Sequence, residues 1–312
     1  MVANSERIIV TGGSGRLGRS VVAGLADAGH RVVSVDRARP DVPHPAVAYA
    51  EVDLLDAAAT EAAFADARPD AVVSLAAIAV PFSAPEDVIL RTNTAIAHNV
   101  TAAALAAGAG KIAIASSPSI MGYGSPAGWL PPRLPLDEGV QPRPWHAYGL
   151  SKHVAEQVAA MFAAARGDGA RFASFRPCYV IAPEEWAGAP TQQGHTIAER
   201  LADPSLAAPS LFNYVDARDV TDFLLLLLEK MHRIENGSTF FVGAADALST
   251  RPLSEVLPEH FPELAELARP LTGTSPAFSI DKARRELGWE PKRGWRTELA
   301  PAELARTTAV RG

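Results

Sequence analysis

The sequence predicts the α/β class, a doubly wound parallel sheet with a smaller, interleaved C-terminal domain. Three observations carry this. Short apolar runs alternate with Ala-rich helical stretches through the first half. A glycine-rich loop separates the first run from the first helical stretch. After about residue 177 the alternation gives way to frequent proline and glycine. Strand–helix alternation of this kind produces parallel sheets covered on both faces, whose strands read as continuous apolar runs.

The runs are Ile8–Val10, Val32–Val35, Val47–Val52, Ala71–Leu75, Ile112–Ala115 and Phe172–Phe175. Helix-like segments lie between them near 17–28, 57–67, 87–107 and 147–166, and Gly29 supplies a stop after the first. A further helix is expected at Asp216–Met231 and a strand at Thr239–Val242, with short helices near 253–257, 262–268 and 281–287. These assign 1–176, with 212–242 returning to it, to a nucleotide-binding domain. Residues 177–211 and 243–312 are assigned to a substrate-binding domain.

The chain has 312 residues, 48% of them hydrophobic, and a net charge of −6. That balance, without any Lys/Arg cluster, gives no reason to expect a nucleic-acid partner. The longest apolar run, Phe223–Leu228, is far below the ~20 residues of a membrane span and reads as a buried helix segment. The single cysteine, Cys178, rules out an internal disulfide and fits a reducing compartment. The first strand begins within about ten residues of Met1, so no signal peptide is expected. A cytoplasmic protein with no metal is the resulting expectation.

The loop Thr11-Gly12-Gly13-Ser14-Gly15-Arg16-Leu17-Gly18 follows the first strand and opens the first helix. Glycine allows a tight turn and close approach to a pyrophosphate, which the helix N-terminus then holds. Gly13, Gly15 and Gly18 fit the general dinucleotide spacing, and Gly12, Gly15 and Gly18 fit the narrower T-G-x-x-G-x-x-G. Asp36 ends the second strand about 20 residues further on, where an acid binds the adenosine ribose hydroxyls. Its charge would repel a 2′-phosphate and favours NAD over NADP, while Arg37 and Arg39 pull the other way. Asp53-Leu54 at the end of the third strand is placed to meet the adenine. Leu75-Ala76-Ala77, after the fourth, would let backbone lie close to the cofactor.

A second feature is Tyr148-Gly149-Leu150-Ser151-Lys152 at the start of an amphipathic helix. Residues i and i+4 share a helix face, so phenol and ammonium point the same way. A free tyrosine has a pKa of about 10, and a neighbouring ammonium is expected to lower it. Such a tyrosine can take the proton of a substrate hydroxyl as hydride leaves the carbon. Ser116-Ser117-Pro118-Ser119 emerges at the carboxyl edge after the fifth strand, where a hydroxyl can bond the reacting oxygen.

Taken together these pieces resemble the short-chain dehydrogenase/reductase superfamily, and more narrowly its extended branch, the NAD-dependent epimerase/dehydratase family with its UDP-glucose 4-epimerase-like sugar enzymes. The likeness rests on the glycine loop, Asp36, Asp53-Leu54, Leu75-Ala76-Ala77, Asn93, Ser116-Ser117, Tyr148-x-x-x-Lys152 and Arg176-Pro177. It continues through Tyr214-Val215-Asp216-Ala217-Arg218-Asp219-Val220 to Leu287-Gly288-Trp289-x-Pro291. It implies a Rossmann domain holding NAD, with Gly12, Gly15, Arg16, Leu17 and Gly18 in the phosphate loop. By the same resemblance Tyr148 is the acid/base and Ser117 bonds the reacting oxygen. Lys152 binds the nicotinamide ribose and tunes Tyr148, and Asn93 supports the cofactor pocket. A cleft between the domains takes a small sugar-type substrate. Homodimers form through the helices near 87–107 and 147–166.

The departures narrow the reaction. Family 4,6-dehydratases carry an Asp-Glu pair after the catalytic hydroxyl, where this chain has Pro118 and Ser119, which argues against a dehydratase. Tyr179 stands where nucleotide-sugar members usually have asparagine, and Pro209–Asn213 lacks the arginine that grips a diphosphate. Ser117, Ser119, Tyr179 and His195 are the candidate substrate contacts, and His195, Arg200 and Arg251 the candidate replacement cations. The expected activity is an NAD-dependent sugar epimerase. The alternative is net dehydrogenation of a free sugar or sugar acid, and a non-catalytic NAD sensor is a third reading.

Overall fold

Each of the first six apolar runs contains a strand; five are largely buried, and the third, at the sheet edge, is half-buried to exposed. The computed structural model describes residues 5–299. Strands β1 (Arg7–Thr11), β2 (Arg31–Asp36), β3 (Ala48–Glu51), β4 (Ala71–Ser74), β5 (Lys111–Ala115) and β6 (Arg171–Pro177) alternate with helices. These are α1 (Arg16–Asp27), α2 (Ala57–Ala67), α3 (Glu86–Ala106) and α4 (Ala147–Arg166). The second half adds β7 (Val180–Ile181), α5 (Pro183–Trp186), α6 (Ile197–Ala202), β8 (Val215–Asp216), α7 (Ala217–Lys230) and β9 (Ser238–Val242).

The main sheet has seven strands in the order β3-β2-β1-β4-β5-β6-β9. β1 pairs in parallel with β2 and β4, and the parallel ladder continues through β3, β5 and β6. The order reverses at β1, between β2 and β4. That switch point, at the carboxyl ends of the strands, is where open α/β sheets bind ligands. A core of Ile9, Val35, Phe64, Val72, Val100, Ile112, Ile114 and Phe172 fills the space between sheet and helices. At about 25 cal/mol per Å² this burial is the main force holding the layers together.

The chain divides into two compact units. The first comprises Met1–Ile120, Pro142–Arg176 and Thr221–Phe240. Here α7 lays Phe223 against Phe175 and Phe240, with ring centroids 6.0 and 5.9 Å apart. Phe223 and Leu228 are both buried, as the apolar run predicts.

The second unit comprises Met121–Gln141, Pro177–Val220 and Phe241–Gly312. Its two-stranded sheet pairs β7 with β8 in parallel. Buried carboxylates organise it: Asp216 accepts from Trp186 Nε1 at 2.7 Å and from both arms of Arg218, and Asp219 accepts from Arg293 Nη1 at 2.6 Å. Gly288 turns left-handed after the helix Asp281–Leu287 and delivers Trp289, whose indole N–H donates to the Asp219 carbonyl. The Tyr214–Val220 and Leu287–Pro291 motifs are therefore joined by structural bonds. Expected segments 1–4 and 300–312 of the two domains lie outside the described residues.

The β7–β8 pair, α5 and α6 were not expected from the sequence. Two-residue strands and four- to six-residue helices carry too few positions to show a period. Cys178 is buried, and burial pushes its thiol well up, as for an inert core cysteine.

Candidate functional site

Two groups of residues converge near the carboxyl edge of β1, β4 and β5. The first is the glycine loop. Gly12 turns with φ +71°, and a Cβ there would meet Ala76 N at 2.8 Å and Ala76 Cα at 2.9 Å. A Cβ on Gly18 would meet the Gly12 carbonyl oxygen at 2.1 Å. The loop is thus packed against the 75–77 segment by backbone contact that only glycine permits. Leu75 N donates to the Thr11 carbonyl at 3.1 Å, and Ala76 N to Thr11 Oγ1 at 3.4 Å. Helix α1 starts after Gly15 with no side chain capping its first N–H groups. Uncapped donors beside a backbone cradle fit a pyrophosphate. Arg16 and Leu17 form the first turn of that helix.

Asp36 closes β2, and its Oδ2 accepts from Ser14 N at 3.0 Å, which places the carboxylate beside the loop. Arg39, a candidate partner for a 2′-phosphate, is paired with Glu51 at 3.1 Å. Asp53 is exposed and Leu54 buried at the next strand end, and Asn99 Nδ2 donates to the Leu54 carbonyl at 3.0 Å.

The second group lies on β5, its following loop and α4. Asn93, 4% exposed on α3, accepts from Ile78 N at 2.8 Å and donates to the Ile78 carbonyl and to Ser151 Oγ, at 3.1 and 3.0 Å. It clamps the segment after β4 to the helix that carries Tyr148. Lys152 is buried, and its Nζ donates to the Ala115 carbonyl at 3.0 Å and lies 5.9 Å from the Tyr148 ring centroid. Ala76, Ala77, Asn93, Ser151 and Lys152 line one small cavity.

Ser117 hydrogen-bonds the Tyr148 phenol, and its Oγ accepts from Ser119 N at 3.2 Å and Ser119 Oγ at 3.0 Å. A hydroxyl relay Ser119–Ser117–Tyr148 results. His146 caps α4, its Nδ1 accepting from Gly149 N at 3.1 Å, and its ring lies parallel to Tyr148 with centroids 6.2 Å apart.

The expected electrostatics of Tyr148 need correction. Burial raises its pKa, and the bond from Ser117 offsets part of that rise. Lys152 does not pull it down here; burial lowers the lysine itself to about 8. Desolvation acts on both members of the pair, and it cannot be read from an i, i+4 spacing.

Glu156, one turn beyond Lys152, was not singled out from the sequence. It pairs with Arg176 through two bonds, and the nearby Ser116 helps hold its carboxyl low. Ser116 Oγ in turn donates to the Lys152 carbonyl at 3.4 Å. The signal was available: Tyr148, Lys152 and Glu156 recur every four residues on one face of an Ala-rich helix.

Tyr179 belongs to the second unit. Its N–H donates to Asn213 Oδ1 at 2.8 Å, and its ring lies under the Arg200 guanidinium. His195 is half-buried just ahead of α6. Arg251 is taken up by Glu255 and Glu259. Among the described residues no cluster suited to a metal ion is present, and no helix is long and apolar enough to cross a membrane.

Comparison with known proteins agrees with this geometry. Residues 8–243 match the model of the NAD dependent epimerase/dehydratase family. The chain is 28% identical to a UDP-glucose 4-epimerase of Azospirillum brasilense, across 93% of this chain and 88% of that protein. Among solved structures it is similar to UDP-glucose 4-epimerase of Thermotoga maritima with UDP-glucose, with TM-score 0.70, 22% identity, and coverage of 97% and 99% of the two chains. It is also similar to the Bordetella bronchiseptica enzyme WbmG in complex with NAD, with TM-score 0.66, 20% identity, and coverage of 99% and 96%. The chain belongs to the NAD-dependent epimerase/dehydratase family, whose cofactor is NAD, and has its Rossmann fold.

Proposed function

We propose that this protein is an NAD-dependent epimerase acting on a carbinol of a sugar or nucleotide sugar, with Tyr148 as acid/base. The observation that carries the reading is the meeting of Ser117, Tyr148 and Lys152 after β5, with Asn93 joining their helix to the segment that packs on the glycine loop. Gly12, Gly15, Arg16, Leu17 and Gly18 would hold the pyrophosphate of NAD. Asp36 would take the adenosine ribose, Asp53 and Leu54 the adenine side, and Leu75–Ala77, Asn93, Tyr148 and Lys152 the nicotinamide half. Bound NAD supplies a reversible hydride acceptor.

Tyr148 Oη takes the proton of the substrate hydroxyl during oxidation and gives it back on reduction. Ser117 donates to the reacting oxygen and, through Ser119, is held in place by two bonds. Lys152 is charged below pH about 8 and would hold the nicotinamide ribose, while Ser117 favours the phenolate that burial disfavours. Pro118 and Ser119, in the positions where elimination would need an acid and a base, support epimerisation or oxidation over dehydration. Exposed Leu150 and Met161 on α4 support a homodimer through this helix.

A second reading is net oxidation of a free sugar or sugar acid, favoured by the absence of a cation in Pro209–Asn213. The test incubates the protein with NAD and a panel of UDP-sugars, free aldoses and uronates, and follows NADH absorbance and product stereochemistry. A new epimer without net NADH supports the epimerase. Stoichiometric NADH supports the dehydrogenase. Tyr148→Phe should lower turnover by at least about 100-fold, and full activity in that variant would sink the mechanism.

A further inference from the structure

The partly exposed Arg218 and Arg293 of the second unit each have a carboxylate; the fully buried Arg200 does not. Arg218 pairs with Asp216 at 2.6 Å and Arg293 with Asp219 at 2.6 Å. Arg200, on α6, is 1% exposed, yet its one side-chain hydrogen bond among the described residues runs from Nη1 to the neutral Gln193 Oε1, at 2.5 Å. Its neighbour Glu199 is committed to capping α6, with Thr196 N donating to Glu199 Oε2 at 2.7 Å. Glu185 acts on Arg200 only at longer range, and its Oε2 accepts from Ala182 N at 2.8 Å.

The guanidinium carbon lies over the Tyr179 ring, 4.3 Å from its centroid. Stacking satisfies its face and leaves its in-plane donors open. Nε is buried without a partner, and no bond engages Nη2. The Tyr179 hydroxyl is likewise buried without a partner. A buried charge whose N–H groups are unmet costs several kcal/mol, unless an anion completes it. The open Nε/Nη2 edge is the fork that takes carboxylate or phosphate oxygens two at a time.

We propose that Arg200 and Tyr179 form the subsite for an anionic oxygen group of the substrate, in place of the cation missing from Pro209–Asn213. This rests on the reading of the substrate as a sugar derivative, and it specifies that this derivative is acidic. Two sources share the chemistry: the diphosphate of a nucleotide sugar and the carboxylate of a sugar acid. Tyr179 is fixed for the role, since Asn213 holds its N–H and Val215 N donates to its carbonyl at 3.0 Å.

The test is calorimetric titration of the NAD-loaded protein with UDP in one arm and glucuronate in the other. Binding of UDP alone identifies the diphosphate, and binding of glucuronate alone the carboxylate. Arg200→Met should weaken the ligand that binds at least tenfold, and Tyr179→Phe, which keeps the stacked ring, about three- to tenfold. Thermal melting of both variants checks that they fold; if Arg200→Met does not, Tyr179→Phe carries the test. Unchanged affinity in Tyr179→Phe and any folded Arg200→Met overturns the proposal, as does failure of the wild type to bind either probe. The titration needs no turnover. It reads binding alone, so an error in the chemistry assigned to Tyr148 leaves this result standing.

Discussion

Glu156 and Arg176 form a two-armed buried ion pair, with Nε–Oε1 at 2.8 Å and Nη2–Oε2 at 2.9 Å. Burial alone would raise the Glu156 carboxyl, but its pairing with Arg176, together with the nearby His153 and Ser116, brings it down to about 2. The pair ties the middle of α4 to β6, and so fixes the turn that presents Lys152.

Removing one partner strands a charge. Glu156→Gln should cost about 3–5 kcal/mol in a denaturant titration and shift Lys152, visible as lower affinity for NAD. Because the native carboxyl titrates below its ordinary value, its contribution is present above pH 4.5 and is lost as pH falls toward 2. Wild-type stability should therefore decline through that window, and the decline should be shallower in Glu156→Gln.

Lys152 provides an alkaline signature. Its folded pKa, about 8, lies below the ordinary 10.5, so burial opposes its charge. The ammonium is present below about pH 8 and fades above it. NAD affinity, measured by fluorescence titration, should fall as pH rises through 8 and become pH-independent there in Lys152→Met. Stability responds oppositely, with this group favouring the fold more as pH rises from 8 to 10.5. A flat NAD profile in the wild type contradicts the role given to Lys152.

His146 links helix capping to acidity. Its Nδ1 must be unprotonated to accept from Gly149 N, and burial lowers its pKa below 6.5. The neutral ring's contribution is intact above pH 6.5 and is lost as pH falls through the depressed native value. His146→Ala should cost about 1 kcal/mol at pH 8. It should also flatten the stability loss below pH 6.5, which a melting series from pH 5 to 8 would read.

Gly18 is a steric test of the cradle. A Cβ would sit 2.1 Å from the Gly12 carbonyl oxygen and 2.7 Å from Gly13 Cα, backbone atoms that cannot swing aside. Gly18→Ala should destabilise by about 1–3 kcal/mol and reduce NAD binding more than tenfold. Gly29→Ala meets no atom within 4 Å, so its cost should come from its φ of +93° alone and leave NAD binding unchanged.

The sheet was legible because parallel strands buried on both faces leave runs that survive as pattern: β1, β2, β4, β5 and β6 fall on the predicted segments within a residue or two. The glycine loop and the Tyr148–Lys152 spacing were legible because tight turns and helix geometry are local, whereas Asn93 entered only through the family resemblance. What failed to show was anything set by burial. The direction of the Tyr148 shift, the pairing of Glu156 with Arg176 and the isolation of Arg200 depend on neighbours 20 or more residues away or on enclosure. The arginine in the family's usual place was visibly missing, and only the fold distinguishes Arg200 from Arg251, which two glutamates already hold.

The contact between Gly12 and Ala76 has an engineering consequence. The eight-residue loop looks like a portable cassette, but its shape is moulded against a strand end 65 residues away, through Thr11, Leu75 and Ala76. Transplanted alone onto another strand–helix junction, it would lose the wall that sets its turn. A working graft would have to carry both strand ends, and homologous recombination between relatives should tolerate crossovers outside 11–77 better than within it.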